Sequence, residues 1–304
     1  DFGLRALKSV LNSAGSLKRK SIAFENPEHP HSLDFEQGII LRSFCDTIIP
    51  KLISEDVPLL NSLIKGVFPT AVISDLNEEK LLKCIYNECD QQFLDKDAKL
   101  FIEKTLQLNQ IMTLVHGIML VGPTGRGKSA TWRVLLNSLN ELEKVKGDFY
   151  IIDPKALSKE ELYGRLDSTT MEWTDGIFTF IIRKILDNQK GELSRRQWII
   201  FDGDVDPEWA ENLNSVLDDN KTLTLPNGER LKLTPNIKLL FEVESLKYAT
   251  LATVSRCGMI WFSEEVLSDN HIFSYFLLRL KQDNFDSKLK NSAESGGDRS
   301  VFKL

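Results

Sequence analysis

The sequence predicts an α/β fold in which a parallel sheet is covered by helices and preceded by a unit made of helices alone. Three observations predict it. Five short apolar runs recur after residue 116, with helical stretches between them. One of these runs leads directly into a glycine-rich loop that opens a helix. Before residue 116 the apolar residues recur only at helical spacing. An uninterrupted apolar run bounded by helices is the pattern of a strand buried on both faces, which parallel sheets require.

The helical unit comes first. Phe35 to Ile53 places Ile39, Ile40, Phe44, Ile48, Ile49 and Leu52 on one helical face, with Pro50 weakening the end. Leu76–Phe93 and Leu100–Val115 repeat the pattern. Breakers such as Asn26-Pro27 and Phe68-Pro69 separate these stretches. The strands follow: Ile118–Val121, Phe149–Ile152, Trp198–Phe201, Leu239–Val243 and Met259–Phe262. Between the third and fourth, Leu223–Leu225 and Arg230–Leu233 flank Pro226-Asn227-Gly228-Glu229. That is a hairpin, and its Asn-Gly pair suits a tight type I′ turn. A helix carrying Ile272, Phe273, Phe276, Leu277 and Leu280 follows Ser263, and the polar tail from Asn291 to Asp298 is expected to be poorly ordered. The expected organisation is therefore a helical unit over 1–115, an α/β unit over 116–264, and a helix with a tail over 265–304.

Composition narrows the function. Lys and Arg number 38 against 44 Asp and Glu, a net charge of −6, which disfavours a nucleic-acid partner bound through a general basic surface. No apolar run nears the roughly 18 residues of a membrane span. The four cysteines (Cys45, Cys84, Cys89, Cys257) form no CxxC pair and read as reduced, buried thiols. The chain opens on Asp1 in an amphipathic pattern, so it is expected to be a piece of a longer polypeptide, cut at both ends.

Gly122-Pro123-Thr124-Gly125-Arg126-Gly127-Lys128-Ser129 fits the phosphate-binding pattern G-x-x-x-x-G-K-[ST], between a strand and a helix. Backbone N–H groups of such a loop wrap phosphates, aided by the helix N-terminus. Lys128 would reach the β- and γ-phosphates and Ser129 the magnesium ion, so ATP and Mg²⁺ are the expected ligands. Arg126 needs no specific side chain and is expected to face solvent. Asp202 ends the Trp198–Phe201 run, where the magnesium-holding aspartate of a P-loop site stands, acting through Ser129 and water. Gly203 follows it, and glycine has no side chain to act as a general base. Asp204 and Asp206 are the nearest substitutes. Arg256, just before the fifth run, is an always-charged forked donor suited to a phosphate. An ordinary surface arginine is the competing reading.

These residues resemble the AAA+ ATPases, and in detail the dynein heavy chains of cytoplasmic type. The resemblance rests on Asp202-Gly203-Asp204-Val205-Asp206-Pro207-Glu208-Trp209, Leu225-Pro226-Asn227-Gly228-Glu229-Arg230 and Ala252-Thr253-Val254-Ser255-Arg256-Cys257-Gly258. Ile152-Asp153-Pro154-Lys155-Ala156 and Glu172-Trp173-Thr174-Asp175-Gly176 belong to the same pattern. Asp1-Phe2-Gly3-Leu4-Arg5-Ala6-Leu7 resembles the start of the lid of the family's first module. The resemblance implies that 1–115 is that lid and 116–264 the large subdomain of the second module. It further implies that Arg256 acts as a finger on the first module's ATP, and that Arg5 senses that ATP from its own module. Hydrolysing relatives place Glu where this chain has Gly203, so the resemblance implies a P-loop that keeps ATP and Mg²⁺ as a structural ligand with little hydrolysis. Where a polar sensor follows the fourth strand, the chain has Glu242-Val243-Glu244, and either glutamate fits that position. For the parent protein it implies an ATP-driven, minus-end-directed microtubule motor of the cytoplasm and cytoskeleton. Its partners would be neighbouring AAA+ modules, intermediate, light intermediate and light chains, and microtubules. Two other readings stand beside it: a free-standing remodelling ATPase, which Gly203 disfavours, and a non-hydrolysing ATP-binding scaffold.

Overall fold

The computed structural model describes residues 3–24, 33–52, 55–68, 79–92, 94, 98–167, 169–188, 195–218 and 220–282. The expected tail lies outside the described residues, as does the Asn26–Pro30 breaker. Five helices come first: α1 (Leu4–Phe24), α2 (Leu33–Ile48), α3 (Asp56–Val67), α4 (Glu79–Gln91) and α5 (Lys99–Leu114). Pro50 ends α2 by entering a short 3-10 turn, Ile49–Lys51. The missing N–H of proline costs nothing in a first turn.

The α/β unit then alternates strand and helix. Its elements are β1 (Gly117–Val121), α6 (Lys128–Glu143), β2 (Asp148–Ile152), α7 (Lys159–Tyr163), β3 (Gly164–Leu166), β4 (Trp173–Asp175), α8 (Ile177–Asn188) and β5 (Gln197–Asp202). There follow α9 (Pro207–Ala210), α10 (Asn214–Leu217), β6 (Thr222–Thr224), β7 (Arg230–Lys232), β8 (Ile237–Val243), α11 (Leu251–Val254), β9 (Gly258–Trp261) and α12 (Asp269–Gln282). The five expected strands form one sheet in the order β2-β5-β8-β1-β9, every neighbouring pair parallel.

Strand periodicity divides the core between the two faces of the sheet. Met119, Val121, Ile199, Phe201, Leu239 and Phe241 face one cluster, with α8 and the segment from Val205 to Leu217. Ile118, Leu120, Trp198, Ile200 and Leu240 face the other. That second cluster also takes Leu81, Ile85 and Cys89 from α4 and Phe101, Leu108 and Ile111 from α5. The core therefore runs unbroken across residue 115. An amphipathic helix is stable only with its apolar face covered, and for α4 and α5 the cover is α6 and the sheet.

Two hairpins stand outside the sheet, where the sequence suggested one. β3 and β4 pair antiparallel. Their three-residue strands are too short to show an alternating pattern. β6 and β7 pair as expected, but the turn is not type I′. Only Gly228 has positive φ (+85°); the Gly228 N–H donates to the Leu225 carbonyl at 2.9 Å and the Leu225 N–H to the Glu229 carbonyl at 2.9 Å. An Asn227-Gly228 type I′ turn would make Pro226 its first residue, which must donate an N–H across the hairpin, and proline has none. The chain therefore takes a type I turn closed by a left-handed glycine. Arg183 on α8 ties both hairpins together, pairing with Asp175 at 2.8 Å and Glu229 at 2.6 Å.

Among the described residues no helix is long and apolar enough to cross a membrane. Cys89 and Cys257 are buried, Cys45 and Cys84 half-buried, and all four are free thiols.

Two outcomes follow from the packing. Phe241 is fully buried and stacks on Phe201 at 5.2 Å. Phe241→Ala is expected to lower the unfolding free energy by about 3–5 kcal/mol in denaturant titration. Phe180→Ala, at a side chain 58% exposed, should stay within about 0.5 kcal/mol. His116, at the entrance to β1, is 4% exposed and its ring nitrogens have no partner among the described residues. Burial, then the neighbouring Lys238 and Lys221, push its imidazole down to about 3. An unfolded histidine titrates near 6.5, so below that pH the unfolded chain binds a proton the folded chain refuses, and stability falls. From pH 7 to pH 5 this group should cost about 2 kcal/mol. His116→Asn should remove that share of the pH slope in unfolding measured at the two pH values.

Candidate nucleotide site

The glycine-rich loop leaves the C-terminal end of β1 and returns as α6, so the helix N-terminus points into a cleft of about 760 Å³. Gly125 and Gly127 sit at φ +80° and +92°. A Cβ on Gly127 would come within 2.8 Å of Leu267 and 3.3 Å of Phe101. The cleft is walled by Thr124, Lys128 and Ser129 on one side and by Leu94, Ile272 and Phe276 on the other. A polar, donor-rich floor beside an apolar wall suits a phosphate chain carrying a flat base.

Lys128 lies over its own loop, donating to the Gly122 and Pro123 carbonyls. Burial pulls its ammonium below the usual lysine range, and Glu242, Glu244, Asp202 and Asp204 pull it back. Asp202 ends β5, exposed on the cleft. Its register partner across the ladder is Glu242 on β8. The Glu242 carboxylate accepts from the Ser129 hydroxyl and the Trp132 indole N–H. Glu244 is exposed; its backbone N–H donates to Asp204 at 3.3 Å, and its carboxylate acts on Lys128 through its charge. Glu242 is thus the glutamate that faces the loop. The signal was present in the sequence: Glu242 follows Leu239-Leu240-Phe241 as Asp202 follows Ile199-Ile200-Phe201.

The donor set suits magnesium. Mg²⁺ takes oxygen ligands and is usually held by one or two carboxylates together with phosphate oxygens and water. Ser129, Asp202 and Glu242 offer a hydroxyl and two carboxylates at one sheet edge. Among the described residues no three His, Cys, Asp or Glu side chains are grouped to hold a metal. The ion would therefore depend on the phosphates of the ligand.

The expected vacancy after Asp202 is present. Gly203 has φ +152°, and its N–H donates to the Glu242 carbonyl at 3.1 Å. Both possible substitutes for a base are engaged elsewhere. Asp204 pairs with Lys155 at 2.9 Å, which holds its carboxyl below the usual range. Asp206 caps α9, accepting from the Glu208 N–H at 2.9 Å.

Arg126 departs from the solvent-facing position expected for it. Its guanidinium donates to the Leu267 carbonyl at 2.9 Å and to Asp269 at 3.1 Å. The chain folds back over the loop after β9, and a long cationic side chain reaches the acidic first turn of α12.

Arg256 stands at the opposite edge of the sheet. It precedes β9, whose Gly258 pairs with Ile118 near the start of β1, whereas the glycine-rich loop leaves β1 after Val121. Its guanidinium donates to Asp218 at 2.8 Å and to the Ala252 carbonyl at 2.6 Å. It lines a cleft with Lys8, Ser9 and Asn12 of α1 and with Lys221 and Lys238. The structure thus groups the loop, Asp202 and Glu242 at one edge and brings Arg256 to the first turns of α1 at the other. Arg5 lies in the first turn of α1; its side chain is outside the described set.

Known proteins carry the same stretch. Residues 1–129 match a family model described as the hydrolytic ATP binding site of the dynein motor region. Residues 117–257 match one described as an AAA domain of the dynein-related subfamily. The chain is 63% identical over 291 residues, 95% of its length, to the cytoplasmic dynein heavy chain of Paramecium tetraurelia. It is 54% identical over 298 residues, 92% of its length, to that of Drosophila melanogaster. It is 50% identical over 303 residues, 95% of its length, to that of Dictyostelium discoideum. It spans 6% of the length of each of these relatives.

Arg126→Ala is expected to release α12 from the loop. Amide hydrogen exchange in Asp269–Gln282 should quicken, while exchange in β1 and β8 stays unchanged.

Proposed function

The chain belongs to the dynein heavy chain family, and on that premise we propose that its P-loop keeps ATP with Mg²⁺ as a resident ligand, hydrolysing it little, while Arg256 serves the ATP of the preceding module. One observation carries the first half. The position after Asp202 is a glycine, and both nearby carboxylates are committed, Asp204 to Lys155 and Asp206 to a helix cap. Neither of these two carboxylates is free to take a proton from an attacking water. The loop's backbone N–H groups and Lys128 bind the phosphates, and Gly122 to Ser129 wrap them. Ser129 and Asp202 would hold the magnesium ion, which when bound would neutralise phosphate charge. The apolar wall of Leu94, Ile272 and Phe276 takes the base.

The opposite edge supports the second half. Arg256 sits across the sheet from its own P-loop, so a phosphate it meets belongs to another module. Its planar, permanently charged fork suits the γ-phosphate. Arg5 would read the same phosphate from the lid of the preceding module. In the whole heavy chain these elements belong to an ATP-driven, minus-end-directed microtubule motor of the cytoplasm. That motor works with the neighbouring AAA+ modules and with intermediate, light intermediate and light chains bound elsewhere on the polypeptide.

Lys128→Ala should weaken nucleotide binding to this chain at least about tenfold in equilibrium titration, by loss of a charge-assisted contact. Unchanged affinity would sink the assignment of the loop. In the whole heavy chain Arg256→Ala should depress microtubule-stimulated ATPase by as much as about 10³-fold, leaving nucleotide at this P-loop in place. Normal turnover in that variant would remove Arg256 from the role.

A further inference from the structure

Glu242 differs from the other acidic groups of the nucleotide cleft. It is 7% exposed, whereas Asp202, its register partner, is exposed on the cleft wall. Its carboxylate is fixed by two donors one turn apart on the same face of α6, the Ser129 hydroxyl and the Trp132 indole N–H. Trp132 is fully buried and packs edge-on against Phe149 at 5.1 Å, so the indole cannot swing aside. The hydroxyl of Ser129, which follows the loop lysine, is thus already engaged by a buried anion. Lys128, the lysine of the loop, is bound to loop carbonyls.

We propose that Glu242 makes a divalent cation obligatory for ATP at this site. A polyphosphate arriving without metal would bring its terminal negative charge toward a fixed carboxylate shielded from water. Like charges in such a place repel with little screening. A magnesium ion reverses the sign of the interaction, because Glu242 then becomes a second carboxylate beside Asp202 for an ion that prefers oxygen. With a neutral residue at this position only Asp202 would oppose the bare nucleotide, and the penalty for lacking metal would be smaller. Glu242 is thus a selectivity residue: it admits the metal complex and rejects the bare nucleotide. The inference rests on the P-loop holding nucleotide.

The test is equilibrium binding of a fluorescent ATP analogue to the 304-residue chain, in Mg²⁺ and in EDTA. Wild type should bind far more weakly in EDTA. Glu242→Gln keeps the size of the side chain and a partner for Trp132. It should raise affinity in EDTA by about tenfold or more, ~1.4 kcal/mol, without raising affinity in Mg²⁺. Glu242→Asp keeps the charge and should keep the wild-type ratio. If Glu242→Gln shifts both affinities by one factor, or leaves EDTA binding as weak as in wild type, the proposal is wrong. Wild type alone supplies a second check, which needs no variant to fold. The metal requirement should be greater for the ATP analogue than for the ADP analogue, because the γ-phosphate is the group that meets Glu242; an equal requirement contradicts the proposal. Lys128→Ala separates the two levels: equal binding by Lys128→Ala and wild type in Mg²⁺ would refute the P-loop reading itself, whatever Glu242 does.

Discussion

The insertion of β8 between β1 and β5 is the constraint on which the site depends. Its ladder sets Glu242 opposite Leu120 on one side and Asp202 on the other. The loop leaving β1 therefore opens beside both carboxylates, at the carboxyl edge where parallel sheets place their ligands. Register is not free to drift. A slip of one residue would turn Phe241 out of its stack with Phe201 and Trp209 and would aim Glu242 at the opposite face. The aromatic stack beneath the sheet thus fixes the geometry of the charged groups above it.

The two edges of this sheet are built for different partners. The carboxyl edge has a glycine-rich loop, a helix N-terminus and oxygen donors, with Asp204 and Asp206 engaged by Lys155 and the Glu208 N–H. The amino edge gathers Arg256, Lys221 and Lys238 near α1, with Asp218 and the Ala252 carbonyl orienting the guanidinium. On the proposed reading, the first edge retains a nucleotide and the second reads a phosphate held by another module. Because β1, β8 and β9 run from one edge to the other in a buried sheet, the two edges are joined by one of the stiffest parts of the molecule.

Much of this was legible in the sequence, and for a physical reason. The central strands β1, β5 and β8 are buried on both faces and so are apolar along nearly their whole length; β2 and β9 stood out as apolar runs although β2 exposes one face. The P-loop stood out because its glycines and lysine are required by backbone approach and charge. Other features left no such trace. The β3–β4 hairpin is too short to show a period. Pro226 overrode the Asn-Gly preference at the turn, because without an N–H it cannot close a two-residue hairpin, and the pair Leu225–Glu229 closes it instead. Arg126 finds Asp269 143 residues along the chain, a contact no local pattern encodes. For Glu242 against Glu244 the trace was a faint one, the match of Leu239-Leu240-Phe241-Glu242 to Ile199-Ile200-Phe201-Asp202, and the pairing of β8 with β5 makes it decisive. The continuity of the core from α5 into the sheet was hidden because helical spacing shows that a face is buried, not what buries it.

The central claim is that this P-loop holds its nucleotide as a triphosphate. The direct measurement is to load the chain with ATP and Mg²⁺, remove free nucleotide, and identify what remains bound after acid quenching at successive times. The account predicts that ATP persists as the bound species and that phosphate does not appear at the rate of a turning-over site. Stoichiometric conversion to ADP with release of phosphate would contradict it.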